Sequence, residues 1–178
     1  MSVDLMDTIN DLANVVKIKN EISTDIAVLS LQKLVEKVEH SLSQVIRTSG
    51  AVITKNFASS DKLKASKTYM ESIVLNLISN AIKYSKDDVV PRIEISASSD
   101  ENDFILQVKD NGLGIDLKKH GEKIFGLRKT FHKNRDSRGV GLFITKAQIE
   151  AMEGSIHVES TLNVGSTFIV RLPKKIIV

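Results

Sequence analysis

The sequence predicts an α/β fold, a two-layer sandwich with helices on one face of a mixed sheet, preceded by a helical segment. Three observations predict it. Two pairs of alternating segments, RIEISASS with FILQVKD (92–99 and 104–110) and SIHVES with STFIVRLP (155–160 and 166–173), flank short polar turns and read as antiparallel hairpins. Helix-period segments stand before each pair, over about Thr68 to Tyr84 and over 139–153. From residue 51 the order is therefore strand, helix, two strands, helix, two strands, which layers helices against one sheet.

The elements follow in order. Residues 3–20 read as an amphipathic helix whose Leu5, Ile9, Leu12 and Val16 alternate at spacings of four and three, a coiled-coil-like seam too short to be stable alone. Residues 21–29 read as a connector. A second helix is expected from about Leu31 to Arg47 with Ser30 as its N-cap, and Gly50 ends it. AVITKNF (51–57) reads as a strand, and a polar loop follows. The expected division is thus a helical segment over 1–50 and a second domain over 51–178.

Bulk properties narrow the function. The chain has 178 residues, 42% hydrophobic and 26% charged, the mix of a globular protein with a core of its own. It has no cysteine, so disulfides and thiolate metal sites are excluded. No apolar run approaches the roughly 18 residues of a membrane span. The net charge of +3 is too small to argue for nucleic acid. Its distribution is uneven, however. From Lys118 to Arg138 eight basic residues face only Glu122 and Asp136, a local +6 that reads either as a solvated loop or as an anion site.

Three stretches carry chemistry. In the helix that carries LNLISNAIKYS (75–85), Ser72, Asn76, Ser79, Asn80 and Lys83 share about 100° of arc, opposite Val74, Leu77, Ile78 and Ala81. This polar stripe contains no acid. It is either an ordinary wet face or a site where amide oxygens ligate a hard cation such as Mg²⁺, which also takes phosphate oxygens and water. In DNGLGID (110–116) a carboxylate at a strand end precedes Asn-Gly-x-Gly, either a surface turn or a place where backbone approaches a ligand and Asp110 accepts from an exocyclic amine. In RGVGLFITK (138–146) Gly139 and Gly141 open a helix whose free N–H groups suit an anion. The P-loop ending is absent, and Ile144 stands where a dinucleotide fingerprint needs its third glycine.

Together with EKIFGLRKTF (122–131) and GSTF (165–168), these stretches resemble the N, G1, F, G2 and G3 boxes of the sensor histidine kinase catalytic domain, in family order over about residues 50 to 173. That domain belongs to the superfamily shared with gyrase, the Hsp90 chaperones and MutL. The resemblance implies the Bergerat ATP-binding fold and a kinase that binds Mg²⁺-ATP. Asn80 would be the metal ligand and Asn76 would lie beside the phosphates, with Lys83 and Tyr84 contacting phosphates or adenine. Asp110 would bind the adenine amine, Gly112 and Gly114 permitting the approach. Arg138, Gly139, Val140, Gly141 and Leu142 would hold the phosphates, Thr167 would reach adenine through water, and residues 126–138 would form a lid. Asn76, Asn80 and Lys83 are the catalytic candidates.

Asn76 stands where the superfamily's ATP hydrolases carry the glutamate that activates water. An amide cannot take a proton, whereas a neutral imidazole is already nucleophilic, so the substitution favours transfer to histidine over hydrolysis. None of His40, His120, His132 and His157 has the sequence context of an acceptor, and residues 3–20 resemble the second helix of a dimerisation hairpin. The expectation is a cytoplasmic fragment of a longer, homodimeric, sometimes membrane-anchored sensor kinase, whose acceptor histidine lies outside this chain and whose phosphoryl group passes to a response regulator receiver domain. The alternatives are a non-catalytic ATP-binding scaffold, an anti-sigma-type serine kinase and a conformational ATPase. Glu153, where related kinases often have a second glycine, touches no expected contact.

Overall fold

A computed structural model describes residues 9–10, 12–18, 25–57, 60–127 and 139–174. The elements are β1 (Ile26–Ser30), α1 (Leu31–Ser41), α2 (Ser43–Ser49), β2 (Val52–Asn56), β3 (Lys62–Ser66), α3 (Lys67–Lys83), β4 (Arg92–Ser99), β5 (Asp103–Asp110), α4 (Leu117–His120), a 3-10 turn (Gly121–Lys123), α5 (Gly141–Ala151), β6 (Ser155–Thr161) and β7 (Gly165–Pro173). Among the described residues no helix is long and apolar enough to cross a membrane.

Five strands form the main sheet in the order β2-β4-β5-β7-β6. Strand β2 runs parallel to β4, and the other three pairings are antiparallel, so the sheet is mixed as expected. A parallel pair needs a long crossover; here β3 and α3 supply it. Alternation then sorts the side chains. Ile93, Ile95 and Ala97 of β4, Phe104, Leu106 and Val108 of β5, and Phe168, Val170 and Leu172 of β7 are buried beneath the helices. Helix α3 buries Met70, Ile73, Val74, Leu77, Ile78, Ala81 and Ile82, the three-and-four spacing of one stripe. Burying each large apolar side chain contributes about 1.5–3 kcal/mol, so this layer holds the helices on the sheet. The expected two-layer sandwich, two hairpins and helix–sheet order are all present.

Two features differ from the expectation. Residues 26–30, read as connector, and 62–66, read as loop, pair as a separate two-stranded antiparallel ribbon, from Ile26↔Ser66 to Ser30↔Lys62. Both strands are short and half polar, which hides their periodicity. The second difference concerns the break expected at residue 50. Leu29 of β1 and Leu31, Leu34, Val35 and Val38 of α1 belong to the same buried cluster as α3 and the sheet, so the core runs across that point. Further upstream, residues 12–18 are helical and Tyr69 donates its hydroxyl to the Ile18 carbonyl at 3.4 Å. Ile9, Leu12 and Val16 of the expected seam are exposed, while Val15 is buried. Leu5 lies outside the described residues.

The ribbon fixes two helix starts. Asp25, at the entrance to β1, accepts from the Thr68 N–H at 2.8 Å and from the Ser66 hydroxyl at 2.7 Å, at the N-terminus of α3. Asp61, at the entrance to β3, accepts from the Gln32 N–H at 2.8 Å and the Ser30 hydroxyl at 3.0 Å, at the N-terminus of α1. Antiparallel register puts the beginning of each strand beside the end of the other, so each acid caps the helix that follows its partner strand. Helix α3, which carries the polar stripe, is thereby fixed at its first turn.

Candidate active site

Helix α3 presents its polar stripe toward α5. The Asn76 Nδ2 donates to the Thr145 hydroxyl at 2.8 Å, and one turn earlier the Gln148 Nε2 donates to the Ser72 hydroxyl at 3.1 Å. Asn76 is therefore a joint between the two helices as well as a site candidate. Its Oδ1 lies against the first residue of α5: a Cβ added at Gly141 would stand 2.3 Å from it, so no larger residue fits without displacing the amide. Asn80, one turn further along, is half-buried, and its side chain makes no hydrogen bond among the described residues. Lys83 ends α3, and Tyr84 is its C-cap.

The DNGLGID turn closes over that end of α3. The Leu113 N–H donates to the Tyr84 carbonyl at 2.9 Å, and the Ile115 N–H donates to the Ser160 hydroxyl at 2.7 Å. Gly112 and Gly114 are required here by packing: a Cβ at Gly112 would lie 2.5 Å from the Tyr84 carbonyl oxygen, and one at Gly114, where φ is +66°, 2.0 Å from that of Thr161. These glycines let the loop seat between α3 and β6, whatever room they also leave beside Asp110. Asp110, the last residue of β5, shares the helix-facing side with Leu106 and Val108. Its Oδ1 accepts from the Gly112 N–H at 2.8 Å and the Ser166 N–H at 3.3 Å. Burial pushes its carboxyl above the usual value, while those two N–H bonds and the charge of Lys86 pull it back.

Helix α5 begins at Gly141, with Val140 as N-cap and no side-chain cap; Gly139 precedes it at φ +66°. Among the described residues its first N–H groups therefore have no side-chain cap at the end that meets Asn76. Val140 is buried and Leu142 packs against the core, so both also hold the helix down. Ahead of α5, Ile124 is buried, Phe125 packs on the same core, and the Lys146 ammonium lies 5.9 Å from the Phe125 ring centre. Arg138 and residues 128–137 of the expected lid lie outside the described residues, as does His132.

One expected site residue is misplaced. Thr167 pairs with Lys109 and Glu159 in a cross-strand row with Glu94 and Thr54, on the sheet face that no helix covers. Its neighbour Ser166 shares the face of Phe168 and Asp110, is buried, and bonds to Asp110 through its N–H. Of the Ser-Thr pair it is therefore Ser166, and not Thr167, that lies on the side of Asp110. Strand alternation would have found the right one, because Phe168 belongs in the core and Ser166 stands two residues away. Lys86 and Ser160 also went unnoticed.

A carboxylate facing inward from the sheet, an acid-free amide stripe and an uncapped helix start converge at one end of an α/β sandwich. This is the architecture of a nucleotide-binding catalytic domain. The chain belongs to the histidine kinase-, DNA gyrase B- and HSP90-like ATPase family, whose model matches residues 65–176. Sensor protein SrrB of Staphylococcus aureus is 33% identical over 172 residues, which cover 93% of this chain and 29% of that protein. Among solved structures, the catalytic domain of histidine kinase ThkA superposes with a TM-score of 0.73 at 25% identity, covering 85% of this chain and 97% of that one. The Acinetobacter baumannii histidine kinase AdeS shares the fold, with a TM-score of 0.76 at 21% identity over 97% of this chain and 80% of that one. The fold is that of a histidine kinase catalytic domain, and the chain spans about a third or less of the curated sensor proteins it matches.

Proposed function

We propose that the chain binds Mg²⁺-ATP and donates the γ-phosphoryl group to a histidine outside this sequence, from which it passes to the receiver domain of a response regulator. The observation that carries the reading is the convergence of Asn76, Asn80 and the start of α5, a neutral oxygen pair beside free backbone donors. Mg²⁺ is ordinarily held through one or two protein oxygens plus substrate phosphates rather than in an all-protein cage, which fits Asn80 as its one protein ligand. When bound, the ion neutralises charge on the phosphate oxygens. Asn76, tied to Thr145, sits beside the phosphates. The N–H groups of Gly141 and Leu142 donate to phosphate oxygens, and Arg138, Gly139 and Val140 complete that loop. Asp110 accepts from the adenine amine, and Lys83 and Tyr84 close the site from the end of α3. Asn76 takes no proton from water, which favours transfer over hydrolysis.

Two further supports come from relatives. ShkA, a full-length protein solved in complex with AMPPNP, shares the fold with a TM-score of 0.77 at 23% identity, covering 96% of this chain and 36% of that one. SrrB is a sensor protein more than three times the length aligned here. In the same reading the parent is a homodimeric sensor kinase with its catalytic portion in the cytoplasm, and residues up to about 20 continue the second helix of its dimerisation hairpin.

The test is calorimetric titration with AMPPNP with and without Mg²⁺, followed by incubation with ATP and a separately expressed histidine-bearing hairpin. Wild type is expected to bind in a Mg²⁺-dependent manner and to leave acid-labile phosphate on the hairpin. Asn80→Ala is expected to lose the Mg²⁺ dependence. Tight nucleotide binding with no transfer to a range of cognate hairpins would favour the non-catalytic scaffold instead.

A further inference from the structure

The hydrogen bonds behind Asp110 have a direction, and that direction bears on which base the site accepts. Ser160 of β6 and Ser166 of β7 are a directly opposed pair on the helix-facing side of the sheet. The Ser160 Oγ has three partners: the Ile115 N–H at 2.7 Å, the Gly165 carbonyl at 2.9 Å and the Ser166 Oγ at 2.8 Å. A serine hydroxyl has one hydrogen and two lone pairs. The Ile115 N–H can only donate, and the Gly165 carbonyl can only accept. Ser160 therefore gives its hydrogen to Gly165 and takes one from Ile115, which leaves one lone pair for Ser166. Ser166 must then be the donor in the pair. The reverse assignment would leave two oxygens 2.9 Å apart at Gly165 with no hydrogen between them.

With its hydrogen committed to Ser160, the buried Ser166 hydroxyl has only lone pairs to offer elsewhere. Asp110 beside it is a carboxylate whose Oδ1 is already taken up by two N–H donors. The side chains of Asp110 and Ser166 thus present acceptors and no donor. A base carrying an amino group satisfies such a pair, directly or through water. A base carrying a carbonyl at the same position leaves two acceptors facing a third, and a polar site rejects an ill-matched isostere strongly.

We propose that Ser160 is a positioning residue for base specificity: by consuming the Ser166 hydrogen it keeps the site acceptor-only and so selects a 6-amino purine over a 6-oxo purine. The proposal rests on the reading that this site takes ATP. Ser160 also holds the Ile115 N–H, so one side chain of the β6–β7 hairpin sets both the seat of the DNGLGID loop and the polarity of the wall beside it.

The experiment compares the dissociation constants of Mg²⁺-ATP and Mg²⁺-ITP, which differ only at the 6-substituent and the adjoining ring proton, for wild type, Ser160→Thr and Ser160→Ala. Wild type is expected to prefer ATP and Ser160→Thr to retain that preference. In Ser160→Ala the released Ser166 hydroxyl can turn to donate, and the ITP/ATP ratio is expected to fall about fivefold to tenfold. A purely structural loss would weaken both nucleotides alike and leave the ratio unchanged, which would overturn the proposal, as would a wild type that binds both equally. If wild type binds neither nucleotide, the ATP reading fails first and is recognised separately. Should Ser160→Ala not fold, Ser166→Ala reads the same wall: a reduced ratio supports the proposal and an unchanged one overturns it.

Discussion

Helices α1 and α3 begin on side-chain oxygens, whereas α5 begins on none. Ser30 and Asp61 receive the first donors of α1, and Ser66 and Asp25 those of α3. At α5 the N-cap is the apolar Val140, and the residue that meets the first turn is the amide of Asn76. All three helices face the same orphaned N–H groups at their start. The difference is in how they are met: the first two are satisfied by side chains within the fold, and the third has no side-chain cap among the described residues, which is what the proposed phosphate site requires. An uncapped start costs about 0.5–2 kcal/mol relative to a capped one. That cost falls at the site and not at the ribbon, where the caps are doubled. Residues that hold the molecule together thus lie at the ribbon, and those proposed to hold its substrate lie at the start of α5.

The largest expected effect breaks the α5 side. In Gly141→Ala the new methyl would lie 2.3 Å from the Asn76 Oδ1 and 3.1 Å from its Nδ2, so either the Asn76–Thr145 bond breaks or α5 shifts. A displacement of about 1 Å in a positioning group can cost about 100-fold, and the rate of transfer to a histidine-bearing hairpin is expected to fall by that order. Alanine is a better helix former than glycine by about 1 kcal/mol, which offsets part of that clash, so the melting temperature should fall by a few degrees at most. A folded variant with full activity would show that Asn76 and the α5 start do not act together.

On the ribbon side, Asp25→Ala should do the reverse. It removes the acceptor for the Thr68 N–H and for two hydroxyls, and the loss of such a cap costs about 1–2 kcal/mol. Thermal unfolding should move down by a few degrees while the dissociation constant for Mg²⁺-AMPPNP stays within twofold. A matching loss of affinity would mean that the first turn of α3 reaches the site, and the separation drawn above would be too sharp.

The two regions also differed in how much the sequence disclosed. The α3 stripe, the two hairpins and the α5 start were readable because long elements repeat their pattern: α3 has seven buried residues at helical spacing, and β4 and β5 alternate over eight positions each. The ribbon was not, since β1 and β3 have five residues each and even their closest pair, Ser30 and Lys62, is separated by the whole of residues 31–61. Nothing local announces such a partner. The caps were half legible: Ser30 could be named from its place before Leu31, but Asp61 and Asp25 reach their helices only through the ribbon. The polar stripe of α3 was readable because it follows the helical period, and Asn76 and Ser72, with their partners on α5, lie along it. Thr167 was not, because a motif match fixes a residue to within one position, whereas a strand reverses face at every position.

The smallest effect concerns Asp110, where stability and recognition oppose each other. Burial raises its carboxyl above the ordinary 3.8, against the Gly112 and Ser166 N–H bonds. Between the unfolded and folded values the native state then binds more protons than the unfolded one, so stability falls as pH rises through that window and stays lower above it. Asp110→Asn removes the titration. The variant is expected to melt slightly above wild type at pH 7, and the gap should close as pH drops below 3.8. The same substitution puts a donor NH₂ where the second carboxylate oxygen stood, against the amine of adenine, so the preference for ATP over ITP should fall. A variant that melts lower at neutral pH would show that the two N–H bonds to a charged oxygen outweigh its burial, and Asp110 would then join the capping acids of the ribbon as a residue that stabilises the fold it also serves.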